Sequence, residues 1–307
     1  MSRESKDDLV DGFTDSLTNT QTRRAYRADL RHFFGDSVGQ DQIQGLTADD
    51  IQGFVQSLRD LGRKAGTQRR LLAALRSFFD WLITEGIHDR NPARHPDVAP
   101  SSPNKESTAA TPLTPQELTA VLRVVSGPDD PALRDRALIL TIVYGALRRS
   151  EVTGLKVGDL RPLGRHWILD LDDSAGKGGG YVRIPERLAD ILEEVRDTFD
   201  IAEGTFWRSL SNRSQGEPLS PSGIYRIVSD AGSRAGVGTV SIDRLRRTGL
   251  YLAIQGGASV AQVQAHGRYG DSSSVAGLSE IDTQKGNLSD SAVEYIDFDL
   301  ERVVSSS

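Results

Sequence analysis

The sequence predicts a mainly α-helical protein in two domains, with a small antiparallel β-sheet in the second. Three observations predict it. Apolar residues recur at helical spacing from 22 to 86, and an aperiodic, proline-rich stretch follows at 91–112. Beyond it, a second helical region contains two short strand-like segments separated by a glycine-rich run at 176–180.

Residues 1–18 are polar and are expected to form a flexible N-terminus. The first helical pattern begins at Thr22, where Tyr26, Leu30, Phe33 and Phe34 fall on one face at i, i+4, i+7 and i+8. Thr47 offers a hydroxyl to cap a second helix, which carries Ile51, Phe54, Val55 and Leu58. Leu71, Leu72, Leu75, Phe78, Phe79 and Leu82 make a third stripe that Gly86 is placed to end. These helices should pack as an all-α domain over 19–92. Their remaining faces carry arginines, among them Arg23, Arg24, Arg69 and Arg70.

Five prolines fall among small polar residues between 91 and 112, and 93–112 reads as an extended linker. Thr114-Pro115-Gln116-Glu117 then reads as a capping box with proline at the first helical position, opening a second domain over 113–278. A helix is expected from about 131 to 146. The segments 167–171 and 181–184 suggest a β-hairpin with a long tip, and the rest again reads as helical. Residues 279–307 form an acidic tail.

The chain of 307 residues has no cysteine, which excludes disulfides, thiolate metal sites and cysteine nucleophiles. Its first residues carry no apolar leader, and no window approaches the ~18 apolar residues of a membrane span. A cytoplasmic, nucleoid-associated placement is therefore expected. The net charge of −6 is uneven. Residues 279–301 hold seven acids against one base and so carry a charge equal to the whole deficit, whereas 20–95 hold twelve Arg and Lys against nine acids. Local basic surface, rather than global charge, is what meets duplex DNA.

Three segments carry chemistry. Arg148 and Arg149 lie with Glu151 in the first, Lys177 sits between glycines in the second, and the third holds Asp243, Arg246 and Arg247, followed by Arg268. Arginine presents a rigid fork of donors that matches phosphate oxygens and stays protonated at any relevant pH. Two arginines at helix starts, with a lysine on a mobile loop, suit one phosphodiester, and charge stabilisation is most of what phosphoryl transfer asks of a protein. The same arginines also suit structural ion pairs, with Glu151 the obvious partner of Arg148.

The run Ala146-Leu147-Arg148-Arg149-Ser150-Glu151, with Leu155 and Asp159 after it, resembles the first arginine motif of the tyrosine recombinase (phage integrase) family, which includes Xer-like and Cre-like site-specific recombinases. Gly176-Lys177-Gly178 before Arg183-Ile184-Pro185 is similar to that family's hairpin lysine motif, and Leu245-Arg246-Arg247-Thr248 to its second arginine motif. Thr22-Arg23-Arg24-Ala25-Tyr26, the run 71–81 and Asn91-Pro92-Ala93 resemble its helical core-binding domain. The resemblance spans about 14–278. It implies an N-terminal SAM-like core-binding domain and a C-terminal recombinase-type catalytic domain.

The resemblance also implies roles. Arg148 and Arg246 would hold the scissile phosphate, and Lys177 would protonate the departing 5′ oxygen. Arg268 stands where the family has His or Trp, a donor to the phosphate. Reaction would run through a 3′-phosphotyrosyl intermediate with no metal, ATP or other cofactor. Arg23, Arg24, Arg69, Arg70, Arg149 and Arg247 are the further candidates for contact with DNA. The expected partner is double-stranded DNA enclosed between the two domains, with self-association as a dimer or tetramer on it and no membrane partner.

The pattern departs from the family at two places. Asp243 replaces a histidine and would need to be protonated or paired, with Arg244 or Arg247 at hand. Counting on from Arg268 to the usual tyrosine lands on Gly277. Tyr269 and Tyr295 are the nearest substitutes, and Tyr295 also reads as an anchor, with Ala292, Val293, Ile296 and Phe298, docking the tail on protein. The sequence thus supports a site-specific recombinase or integrase that cuts and rejoins DNA. The alternative is a relative that keeps the phosphate clamp without the nucleophile, and a protein-interaction scaffold with no role on DNA is the third class.

Overall fold

The computed structural model describes residues 8–99, 111–171, 180–269 and 291–296. The chain divides into two compact units, 1–108 and 109–307.

The first unit contains α1 (Leu9–Ser16), α2 (Thr20–Phe34), α3 (Gln40–Gln44), α4 (Ala48–Asp60) and α5 (Ala65–Thr84), then a 3-10 turn at Pro92–Arg94. The Thr47 hydroxyl accepts from the Asp50 amide, which is the cap expected for α4. Gly86 takes a φ of +70° just past α5, a conformation that costs glycine little. The core gathers Leu30, Ile51, Leu71, Leu75, Phe78 and Phe79, all buried. One expectation is corrected here: residues 9–16 are helical rather than flexible. Asp8 caps the helix, and Val10 and Phe13 are buried, with the Phe13 ring 5.5 Å from that of Phe78. Two turns with two large apolar residues are too short for periodicity to declare, so docking decides the outcome.

The second unit contains α6 (Pro115–Arg123), α7 (Asp130–Gly145), α8 (Arg149–Gly154), β1 (Leu160–Leu163), β2 (His166–Leu171), β3 (Gly180–Ile184), α9 (Glu186–Thr198), α10 (Pro221–Arg234), α11 (Ile242–Gln255) and α12 (Val260–Gly267). The Thr114–Glu117 capping box forms at α6 as read. The strands make one antiparallel sheet in the order β1-β2-β3, with Trp167 opposite Ile184 and Leu169 opposite Val182. The fold class is therefore the expected one, mainly α with a small antiparallel sheet.

Helix α7 is the centre of this unit. Every residue from Ala137 to Gly145 is buried, and the helix packs against α9, α10, α11 and β3. A helix apolar all round belongs in a core. Its crossing with α11 depends on Gly249, where a Cβ would lie 1.9 Å from the Val143 carbonyl oxygen.

The 3-10 turn Ala292–Tyr295 packs on α11 and α12, burying Ala292, Val293 and Ile296. The Tyr295 carbonyl lies against Gly256 at the end of α11, and Glu294 pairs with Arg183 at 2.6 Å. The anchor expected around Tyr295 thus docks on its own unit. Phe298 lies outside the described residues.

Candidate phosphodiester-binding site

Ala146 caps the end of α7 and Arg268 the end of α12, and both residues take the left-handed conformation, with φ of 44° and 53°. Neither is glycine, so each position is strained by roughly 1 kcal/mol or more and has to be held by its surroundings. Guanidinium groups hold them. The negative, carbonyl-rich ends of two helices meet at one place, where cations are favoured.

Arg246, in the second turn of α11, donates to the Ala146 carbonyl at 2.6 Å and to the Gly267 carbonyl. Arg148, the N-cap residue of α8, donates to the carbonyls of Gly267 and Arg268 and, at 2.9 Å, to the Glu151 carboxylate. Arg268 reaches Glu151 through Nε (3.1 Å) and Nη2 (2.8 Å), and also the carbonyls of Gly145, Ala146 and His266 at 3.2, 2.7 and 2.7 Å. Arg148, Arg246 and Arg268 are therefore brought together. Tyr269 closes one side, its ring centroid 5.0 Å from the Arg246 guanidinium carbon.

The electrostatics follow from this packing. Burial pushes the Glu151 carboxyl up, but the hydrogen bond and charge of Arg268, then the Arg148 amide and guanidinium, outweigh it and hold the group below the usual carboxylate range. Burial lowers the Arg268 guanidinium from its ordinary value, against the pull of Glu151 and with the push of Arg246 and Arg148, and leaves it a cation. His266, buried beneath, bonds the Tyr144 carbonyl through Nε2 at 2.8 Å; burial first, then the charge of Arg268, brings it down to about 4. It is neutral at pH 7. Three guanidiniums against one carboxylate leave the site positive. Arg148 is its open edge, with 35% of its side chain exposed, whereas Arg246 is buried at 4%.

The other candidates lie elsewhere. Asp243 is exposed in the first turn of α11 and has no partner among the described residues. Its expected pairing is corrected: Arg244 turns instead to Glu117 at 3.7 Å and to the carbonyls of Thr111, Val237 and Thr239. The Arg247 Nε is buried without an acceptor. Tyr295 packs at the far end of α11, and ten residues of helix separate the level of Gly256 from Arg246, about 15 Å. Lys177 and Gly277 lie outside the described residues.

In the first unit, Arg70 forks onto buried Asp29 at 2.7 and 2.8 Å, and Arg23 donates to the Leu17 carbonyl at 2.7 Å. Arg24 and Arg69 are exposed, with no acid in reach among the described residues. Arg149 is exposed too, its guanidinium 6.0 Å over the Tyr225 ring. The sequence pointed to the arginines and to Tyr269, though not to its contact with Arg246, and missed His266, which forms the floor and has no spacing signal that would have disclosed it.

Comparison with known proteins bears on the family and the fold. Residues 11–86 match the phage integrase N-terminal SAM-like domain, and residues 112–277 match the phage integrase family. Tyrosine recombinase XerC of Pelobacter propionicus is 29% identical over 258 residues, covering 82% of each chain. Tyrosine recombinase XerD of Bifidobacterium longum is 28% identical over 269 residues, covering 80% of this chain and 82% of its own. Among solved structures, a lambda integrase dimer bound to a COC' core site superposes with a TM-score of 0.67 at 15% identity, over 91% of this chain and 98% of that one. XerH recombinase bound to palindromic difH superposes with a TM-score of 0.63 at 17% identity, over 93% and 79%. With both of its units matched in order, the chain belongs to the phage integrase family of tyrosine recombinases, a family that acts on DNA.

Proposed function

We propose that this protein is a site-specific recombinase that cuts and rejoins duplex DNA, holding the scissile phosphate at Arg148 and Arg246. The observation that supports the reading is their convergence: Arg148, at the start of α8, and Arg246, on α11, share the Gly267 carbonyl in a cluster of three arginines drawn from two of the sequence motifs. Charge so fixed stabilises a phosphoryl transition state without reorganising during the reaction. In the cleavage step a tyrosine hydroxyl gives up its proton to solvent as its oxygen bonds to phosphorus, the P–O5′ bond breaks, and Lys177 donates a proton to the departing 5′ oxygen. Geometry favours Tyr269 over Tyr295 as the attacking residue, because the Tyr269 ring already lies on Arg246. Arg24 and Arg69 supply free charge for the DNA backbone in the first unit. Self-association on DNA is expected by likeness to the lambda integrase dimer and tetramer structures.

A second reading, binding without cleavage, is favoured by the docking of Tyr295 at the far end of α11 and by the acid at Asp243. A nicked suicide substrate separates the two. Covalent protein–DNA adduct, lost in Tyr269→Phe and kept in Tyr295→Phe, supports the first. Specific binding with no adduct on any substrate leaves only the second.

A further inference from the structure

Arg268 occupies the motif position from which the resemblance implies a donor to the phosphate. Its geometry points elsewhere. A guanidinium has five N–H donors. Five hydrogen bonds leave Arg268, one through Nε and two through each terminal nitrogen, and all end inside the protein: two on Glu151 and one each on the carbonyls of Gly145, Ala146 and His266. Its charge is spent in the same way, since its carboxylate partner is buried to 10% side-chain exposure and its own side chain to 17%.

Glu151 is the intermediary. One oxygen accepts from Arg148 Nη1 and Arg268 Nε, and the other from the Arg148 amide and Arg268 Nη2. The two arginine side chains therefore meet on one carboxylate, sharing one of its oxygens, and the Arg148 guanidinium also leans on the Arg268 carbonyl. Arg268 further ties the end of α7 to the end of α12, where both chain turns are left-handed.

We infer that Arg268 is a positioning residue and not a phosphate ligand: it neutralises and orients Glu151, and through it fixes the guanidinium of Arg148. This rests on the reading of Arg148 and Arg246 as the phosphate grip. Neither histidine nor tryptophan, the residues the family has here, can reproduce the strut, because an imidazole offers at most two donors, an indole one, and neither has a fork to match a carboxylate. Lysine keeps the charge but not the planar geometry.

The test uses the full chain and a random-sequence duplex. In ¹⁵N spectra of the arginine side chains, the Arg268 terminal N–H protons should be resolved and slow to exchange without DNA, identified by their loss in Arg268→Lys. They should stay in place when duplex is added, while the Arg148 Nε signal moves. In Arg268→His, the Arg148 Nε signal should shift before any DNA is present, and duplex affinity should fall about tenfold, as in Arg148→Ala. Effects of Arg268→His and Glu151→Gln on affinity should be non-additive by at least fivefold. Arg268 signals that move on the duplex, or two substitutions that add within twofold, overturn the assignment. If Arg148→Ala binds like the parent and its signal ignores DNA, the phosphate grip itself fails. Should Arg268→His not fold, Arg268→Lys carries the same comparison.

Discussion

Arg148 and Arg246 donate to the same oxygen, the carbonyl of Gly267 at the end of α12. That shared acceptor ties the start of α8 to the second turn of α11, and it turns two distant sequence motifs into one cationic spot.

Arg246 is buried, and its removal strands two carbonyls at strained helix ends. Arg246→Gln should cost about 2–4 kcal/mol in urea unfolding, and Arg246→Lys should recover less than half, since one ammonium cannot serve both oxygens in plane. A loss under ~0.5 kcal/mol in either variant contradicts the packing described.

His266 gives the domain an acid-side instability. It is neutral and buried when folded and titrates near 4, below the ordinary value of about 6.5. The unfolded chain thus binds the proton first, so stability is complete above about pH 6.5 and falls with pH until about 4. The slope through that window should approach 1.4 kcal/mol per pH unit. His266→Gln should flatten it, read from urea midpoints between pH 7 and 4.5.

The first unit separates structural from binding arginines. Arg70→Ala leaves the Asp29 carboxylate buried and unpaired, and should lower stability by about 2 kcal/mol, a figure reduced because Arg70 is half exposed. Arg24→Ala and Arg69→Ala should unfold like the parent, yet each should lower the salt dependence of duplex binding by close to one ion. Equal stability losses in all three variants would remove the distinction.

Gly249→Ala tests the α7–α11 crossing on which the site is mounted. The added carbon meets the Val143 carbonyl at 1.9 Å, a backbone atom that cannot rotate away. Destabilisation beyond ~4 kcal/mol, or failure to fold, is expected.

Much of this was legible because long amphipathic runs and caps leave periodic marks: Thr47, Thr114 and Gly86 act where the sequence placed them. Helix α1 and strand β1 were not, since each is short and takes its structure from a neighbour. In β1, Pro162 lies on an edge strand, where the missing amide does no harm but the sequence reads as a loop. At the site, the sequence disclosed which arginines matter, while the division of labour among them depends on acceptors supplied by two helix ends. Main-chain carbonyls leave no trace in residue identity.

The most direct measurement is the slope of log affinity against log salt for Arg148→Ala, Arg246→Gln and the double variant on one duplex, each checked for folding. If both arginines hold a single phosphate, the double variant loses one contact, and its slope falls by about 0.9 relative to the parent. A fall near twice that value places them on separate phosphates, and an unchanged slope removes the phosphate altogether; either result contradicts the shared grip.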